Sequence, residues 1–140
     1  VTDVHEPLKK VLEVGTGCGY QTAVLSPFVR QLFTIERIGT LQQAARARLN
    51  ELGFKNVRYR HGDGFQGWPG QAPFDGIIVA AAPAEVPAAL LEQLRVGGRL
   101  VIPVGPAGQQ DLVRYTRTPD GFDREQLSRV SFVPLVEGTG

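Results

Sequence analysis

The chain has 140 residues, a formal net charge of +1, and 42% apolar and 21% charged residues. That is enough for one domain with a real core, and the near-neutral charge argues against a nucleic-acid surface or a membrane-hugging face. No apolar run approaches the roughly 18 residues of a membrane span, and the single cysteine excludes an internal disulfide and fits a reducing cytoplasm.

No charged-then-apolar signal segment opens the chain. It contains no Met and begins at Val1, so the expectation is that upstream sequence is missing. Residues 1–9, with Pro7, form an irregular lead-in. A first strand is expected at Lys10–Val14, because a short apolar run bounded by glycines suits a buried parallel strand. Gly15, Gly17 and Gly19 then turn the chain into a helix over Gly19–Ser26, with Ala23, Val24 and Phe28 inward and Pro27 at its end. A second strand follows at Leu32–Glu36.

The next helix is expected to begin at Thr40 as N-cap, with Gln43 completing a capping box. Leu41, Ala44, Ala45, Leu49 and Leu52 form its apolar stripe. Gly53 closes it, and Arg46 and Arg48 lie on its solvated side. Strand three is Val57–His61, followed by a glycine-rich loop to Gly70. Strand four is Phe74–Ala80, and a helix runs from Pro87 to about Leu94. Gly97-Gly98 turns the chain into strand five, Arg99–Val104. This βαβαβ pattern implies a parallel sheet covered on both faces. Asp111–Thr118 and Phe122–Leu135 flank the turn Pro119-Asp120-Gly121 and form an antiparallel hairpin. No repeats or linkers occur, so residues 1–140 are expected to be a single domain.

The turn Gly15–Gly19 is the organising feature. Its glycines let the backbone approach a ligand closely, and the following helix aims N–H groups at it. A dinucleotide fingerprint would need glycine where Tyr20 stands, and a P-loop would need Gly-Lys-Ser/Thr. The pattern Glu13-x-Gly15-x-Gly17-x-Gly19 resembles instead the first motif of Rossmann-like S-adenosylmethionine-dependent methyltransferases. The alternative is a βα turn that binds nothing.

Further candidate residues follow along the chain. Glu36 ends strand two, where a carboxylate can accept from both ribose hydroxyls of an adenosyl ligand; otherwise it is a surface acid beside Arg37. Asp63-Gly64 ends strand three, where the acid can accept from the adenine amine; otherwise it makes an Asx-type turn. Glu13 faces the cofactor's amino group, orients the turn, or serves as a structural hydrogen-bonding residue. Cys18 is a space-filler and His61 a strand residue. Two histidines and one cysteine without ligand spacing give no metal site, and neither histidine lies near a nucleophile elbow. Ala80-Ala81-Ala82-Pro83 carries no side-chain donor or acceptor, so the loop suits a nucleophile already ionised. A carboxylate with a pKa near 4 needs no general base at neutral pH. No catalytic residue is assigned.

Taken together, the residues resemble the bacterial protein-L-isoaspartate O-methyltransferases. The first motif, Val11 to Ala23, carries the likeness together with Ile35-Glu36-Arg37, His61-Gly62-Asp63-Gly64, Gly67-Trp68-Pro69, Pro73-Phe74-Asp75, Ile77-Ile78-Val79 and Ala81-Ala82-Pro83. Further along come Gly97-Gly98-Arg99-Leu100, Pro103-Val104-Gly105 and Phe132-Val133-Pro134-Leu135. The resemblance implies an α/β class-I methyltransferase fold, a mostly parallel seven-stranded sheet with a C-terminal antiparallel hairpin. It implies methyl transfer from S-adenosyl-L-methionine, with S-adenosyl-L-homocysteine as product, to the free carboxylate of isoaspartyl residues in damaged proteins. By that likeness Glu13, Gly15, Thr16, Gly17, Gly19, Glu36, Asp63 and Gly64 hold the cofactor, and Ala81, Ala82 and Val133 border the peptide. Isoaspartyl peptides and proteins are then the partners, with no nucleic acid, no membrane, a cytoplasmic location and a monomer as the default state. Cys18 stands where the family commonly has Ser. The family's N-terminal segment, which covers the site, is absent, so a truncated chain is expected. The competing readings are a cofactor-binding core without activity and a methyltransferase for another carboxylate or for RNA.

Overall fold

The computed structural model describes residues 8–15, 22, 26–53, 55–80, 83, 85–106 and 109–130. Seven strands make one sheet: β1 (Leu8–Val14), β2 (Val29–Glu36), β3 (Val57–His61), β4 (Phe74–Val79), β5 (Leu94–Val104), β6 (Gln110–Thr118) and β7 (Gly121–Val130). Their order across the sheet is β3-β2-β1-β4-β5-β6-β7. The first five are parallel, and β6 and β7 run antiparallel to their neighbours. The described helices are α1 (Gly39–Glu51) and the short α2 (Ala88–Glu92).

Both sides of β1 are covered. Leu12 and Val14 point into a core with Phe33, Ile35, Phe74, Ile77, Leu90 and Leu100, while Val11 packs on the opposite face with Leu32 and Val57. That double burial explains why the strand is an unbroken apolar run apart from Glu13. Chain direction across the sheet reverses at β1, with β2 and β3 on one side and β4 and β5 on the other. Such a switch point opens a crevice at the carboxyl ends of the strands.

Several expected boundaries move. β1 and β2 start earlier than Lys10 and Leu32, and β4 ends at Val79. The expected capping box at Thr40 is absent: Ile38 precedes the helix, with no side-chain cap bond. The buried face of α1 is Gln42, Ala45 and Leu49, whereas Leu41 and Leu52 are 41% and 66% exposed. Spacing of three and four residues selects that face; Leu41, one position before Gln42, points to solvent, and Leu52 lies past the last helical residue as the C-cap. Gly53 does end the helix with φ +86°. Helix α2 stops at Glu92, and Leu94 already pairs with Phe74. Gly97-Gly98 is therefore an irregularity inside β5 rather than a turn before it, since the register slips between Phe74 and Gly76. A Cβ on Gly98 would sit 2.8 Å from the Arg95 carbonyl oxygen and 3.0 Å from that of Phe74. The hairpin runs Gln110–Thr118 and Gly121–Val130. Ala23, Val24, the Phe28 side chain and residues beyond 130 lie outside the description; a 3-10 turn at Ser26–Phe28 carries Pro27.

Buried polar side chains brace the connections. Asp75 accepts from the amides of Lys9 at 2.8 Å and Lys10 at 3.0 Å and pairs with Arg95 Nε at 2.8 Å. Asn56 donates to the carbonyls of Ser26 at 2.8 Å and Val29 at 3.0 Å. Gln93 accepts from the Trp68 amide and donates to the Gln66 carbonyl, both at 2.8 Å. A Cβ on Gly67 would land on that Gln93 amide, and Gly67 holds φ +62°, so only glycine fits there. No helix among the described residues is long and apolar enough to cross a membrane.

Gln93→Ala removes the buried side chain that bonds the half-buried Trp68 amide and the Gln66 carbonyl. The unfolding free energy is expected to fall by about 1–3 kcal/mol in urea titration. Glu92→Ala, one residue earlier and exposed, is expected to stay within about 0.5 kcal/mol of the parent. Equal losses for the two would remove the clamp.

Candidate functional site

At the carboxyl end of the sheet, backbone bonds draw four strand ends together. The Gly15 amide donates to the Ile35 carbonyl at 2.7 Å, Ala80 to Val14 at 2.9 Å, and Gly62 to Glu36 at 3.1 Å. Gly15 has φ +98°, a conformation that L side chains avoid. A glycine is therefore needed where β1 turns into the loop. Glu36 and His61 are register partners, which brings the end of β2 beside Asp63.

Each expected cofactor contact has a distinct local setting. Glu36 is 7% exposed, and its Oε2 accepts from the Ile38 amide at 3.1 Å, so the carboxylate is fixed at the strand end. Asp63 Oδ1 accepts from the Phe65 amide at 2.9 Å and caps the 3-10 turn Gly64–Gln66. The Asx-type turn is thus present, and it uses one oxygen of the half-buried carboxylate. Gly64 is buried within that turn. Thr16, Gly17 and Gly19 of the first motif lie outside the described residues, as do Ala81, Ala82 and Val133 of the expected peptide border. Between them, Pro83 is buried, and its carbonyl accepts from the Gly105 amide at 3.1 Å. The loop after β5 therefore pins the loop after β4.

Glu13 is wholly buried within β1. Its Oε1 accepts from Thr34 Oγ1 at 2.8 Å and from the Thr22 hydroxyl. Oε2 is buried with no partner among the described residues. Burial raises its pKa from 4.5 to about 7; the two hydroxyl bonds oppose the rise and the Glu36 charge adds to it. Thr22 follows the glycine turn, so this carboxylate ties the far side of the turn to β1 and β2. The register places Glu13 opposite Thr34, and Thr34 opposite Tyr59. Tyr59 Oη is likewise buried without a partner among the described residues. Thr22 and Thr34 were not foreseen from the sequence; the signal for Thr34 lies in strand register alone. His61 is a structural residue, as expected: its Nε2 lies 2.8 Å from the Arg37 carbonyl oxygen, and its ring packs on Gly39.

Glu36 and Asp63 thus stand at neighbouring strand ends beside the glycine at which β1 leaves the sheet, and Glu13 lies buried within β1. The fold places the chain among class-I S-adenosylmethionine-dependent methyltransferases. A family model described as protein-L-isoaspartate(D-aspartate) O-methyltransferase matches residues 4–140. The protein-L-isoaspartate O-methyltransferase of Pseudomonas paraeruginosa is 56% identical over 132 residues, covering 94% of this chain and 63% of that protein. The chain therefore belongs to the protein-L-isoaspartate(D-aspartate) O-methyltransferase family, and it spans just under two thirds of the length of such relatives. A solved protein-L-isoaspartate O-methyltransferase superposes with TM-score 0.84 at 26% identity, covering 92% of this chain and 42% of that one. A Plasmodium falciparum structure assigned to the same enzyme, in complex with S-adenosyl-L-homocysteine, superposes with TM-score 0.79 at 24% identity over 94% of this chain and 67% of that one.

The raised pKa of Glu13 sets a pH dependence. The unfolded chain loses this proton near pH 4.5, and the folded chain holds it to about 7. Between those values the folded state binds more protons, so stability falls as pH rises through the window. Glu13→Gln keeps an acceptor for both hydroxyls and carries no charge. Its stability relative to the parent is expected to match near pH 4.5 and to exceed it by on the order of 3 kcal/mol above pH 7. Urea midpoints from pH 4.5 to 8 measure this, and a pH-independent difference would contradict it.

Proposed function

We propose that the chain binds S-adenosyl-L-methionine at the carboxyl ends of β1, β2 and β3 and transfers its methyl group to the free carboxylate of isoaspartyl residues. The family membership carries this reading, and the geometry above supports it. Glu36 would accept from the ribose hydroxyls and Asp63 from the adenine amine. Gly15, Gly17, Gly19 and Gly64 would let the backbone lie close against the cofactor, with Thr16 beside them. Glu13 would brace that turn through Thr22. Bound there, the cofactor supplies a methyl group activated by its sulfonium.

For the chemistry, this chain needs positioning more than proton transfer. An isoaspartyl carboxylate is ionised at neutral pH, so no general base is required. Holding the two reacting groups in line and excluding water provides the rate gain. Ala81, Ala82 and Val133 would border the peptide, next to Pro83 and the Gly105 loop that fixes it. The near-neutral charge favours damaged proteins over nucleic acid as the acceptor, and the lone cysteine suits a reducing cytoplasm, where the chain would act as a monomer.

Supplied with methyl-labelled S-adenosylmethionine, the chain is expected to label an isoaspartyl peptide and to spare its aspartyl twin. Cofactor binding without label on either peptide would favour a binding core over an enzyme; label on both would remove the specificity. Glu36→Ala is expected to weaken cofactor binding by roughly 1.5–3 kcal/mol, the range for a hydrogen bond to a charged group. Isothermal titration calorimetry reads this directly. Unchanged affinity would place the ribose elsewhere.

A further inference from the structure

The sheet has one edge that the methyltransferase reading leaves unused. Among the described residues β3 pairs only with β2, so alternate backbone N–H and C=O groups of Val57–His61 face outward. Unpaired strand edges are templates for an added strand. A cavity of about 320 Å³ opens at this edge. Arg46 and Asn50 of α1 line it, with Val57, Arg58 and Tyr59 of β3 and Trp68 and Gln71 of the following loop. None of the seven carries a carboxylate. The cavity sits beside the start of β3, away from the end that carries Asp63.

The charges there are held in place by aromatic rings. The Arg46 guanidinium lies 5.8 Å from the Tyr59 ring centroid and that of Arg60 5.6 Å from the Trp68 centroid. Trp68 is fixed in turn by Gln93 through its amide and by edge contact with Phe33 at 5.3 Å between centroids. Guanidiniums stacked on rings lose little freedom on meeting a carboxylate and present paired donors to it. Arg58 and Arg60 stand two residues apart on one strand, so their side chains share a face. A strand added alongside presents its own same-face side chains at the same interval of ~7 Å. The arrangement thus matches an extended segment with acidic residues at every second position. A second copy of this chain does not fit, because pairing β3 with itself would set Arg58 and Arg60 against their own kind.

We propose that the edge of β3 is a docking site for an extended acidic peptide, which pairs with the strand and places carboxylates against Arg58 and Arg60, on the face that carries Trp68. Simple protection of the edge by cations is the competing account, and it requires no ligand.

Trp68 is the one tryptophan in the chain and lines the cavity, so its fluorescence reports occupancy. The intact chain is titrated with a ten-residue peptide alternating Glu and Thr, with its Lys-for-Glu counterpart, with the acidic peptide N-methylated at alternate amides, and with free glutarate. Saturable change is expected for the acidic peptide alone, weakened roughly tenfold or more by about 0.3 M salt. Arg58→Gln and Arg60→Gln, both at exposed positions, should each weaken it by roughly threefold to tenfold with an unchanged circular dichroism spectrum. No saturable signal, or affinity indifferent to either substitution, would overturn the proposal. Equal binding of the N-methylated peptide or of glutarate would also overturn it, since neither forms a new strand. The titration involves no methyl transfer, so its failure leaves the catalytic reading where it stands.

Discussion

The bond from the Gly15 amide to the Ile35 carbonyl, 2.7 Å long, determines where the chain leaves the sheet. It extends the parallel pairing of β1 with β2 one residue past Val14, then releases the backbone at a positive φ. Ala80 does the same on the other side of Val14. The two loops that follow β1 and β4 therefore depart from one fixed point. Glu36 and Asp63 take their places relative to that point through the register of β2 and β3. Remove the glycine conformation and the strand ends remain, but the exit of the chain from β1 is lost.

Burying Glu13 costs stability above pH 7, and the fold accepts the cost at a wholly buried position of the sheet. Two threonine hydroxyls offset part of it. An apolar residue there would pack equally well into the surrounding core, yet it could not reach Thr22 across the turn. The carboxylate is thus better understood as a brace joining Thr22 to β1 and β2 than as a contribution to the core. Asp75 plays the matching part at the opposite end, where it secures the start of β1 through two amides and an arginine.

Much of this was legible from the residues alone. Parallel strands buried on both faces leave continuous apolar runs, so β1, β3 and β4 were located within two residues of their ends. Glu36 and Asp63 could be placed because strand ends follow from those runs. The phase of α1 was not legible. Thr40 and Gln43 match a capping box locally, but the sheet beneath selects the face bearing Gln42, Ala45 and Leu49. Gly97-Gly98 has the composition of a turn and serves instead as an irregularity within β5, because carbonyls from β4 crowd that position. Gln93 and Thr34 leave no local trace at all. Their importance comes from partners 25 and 21 residues away, which only the folded chain brings close.

The placement of β1 has a consequence for the order of assembly. It is the first strand described in the chain, yet it lies inside the sheet, flanked by β2 and by β4 at residues 74–79. During synthesis one side of the strand can pair as soon as β2 emerges, while the other side waits for some forty further residues. Until then Leu12 and Val14 have half their neighbours, and Lys9 and Lys10 lack the carboxylate of Asp75. Non-local pairing of this kind slows folding and leaves an exposed strand edge while it lasts. A nascent chain stalled before Asp75 is therefore the species most in need of a chaperone.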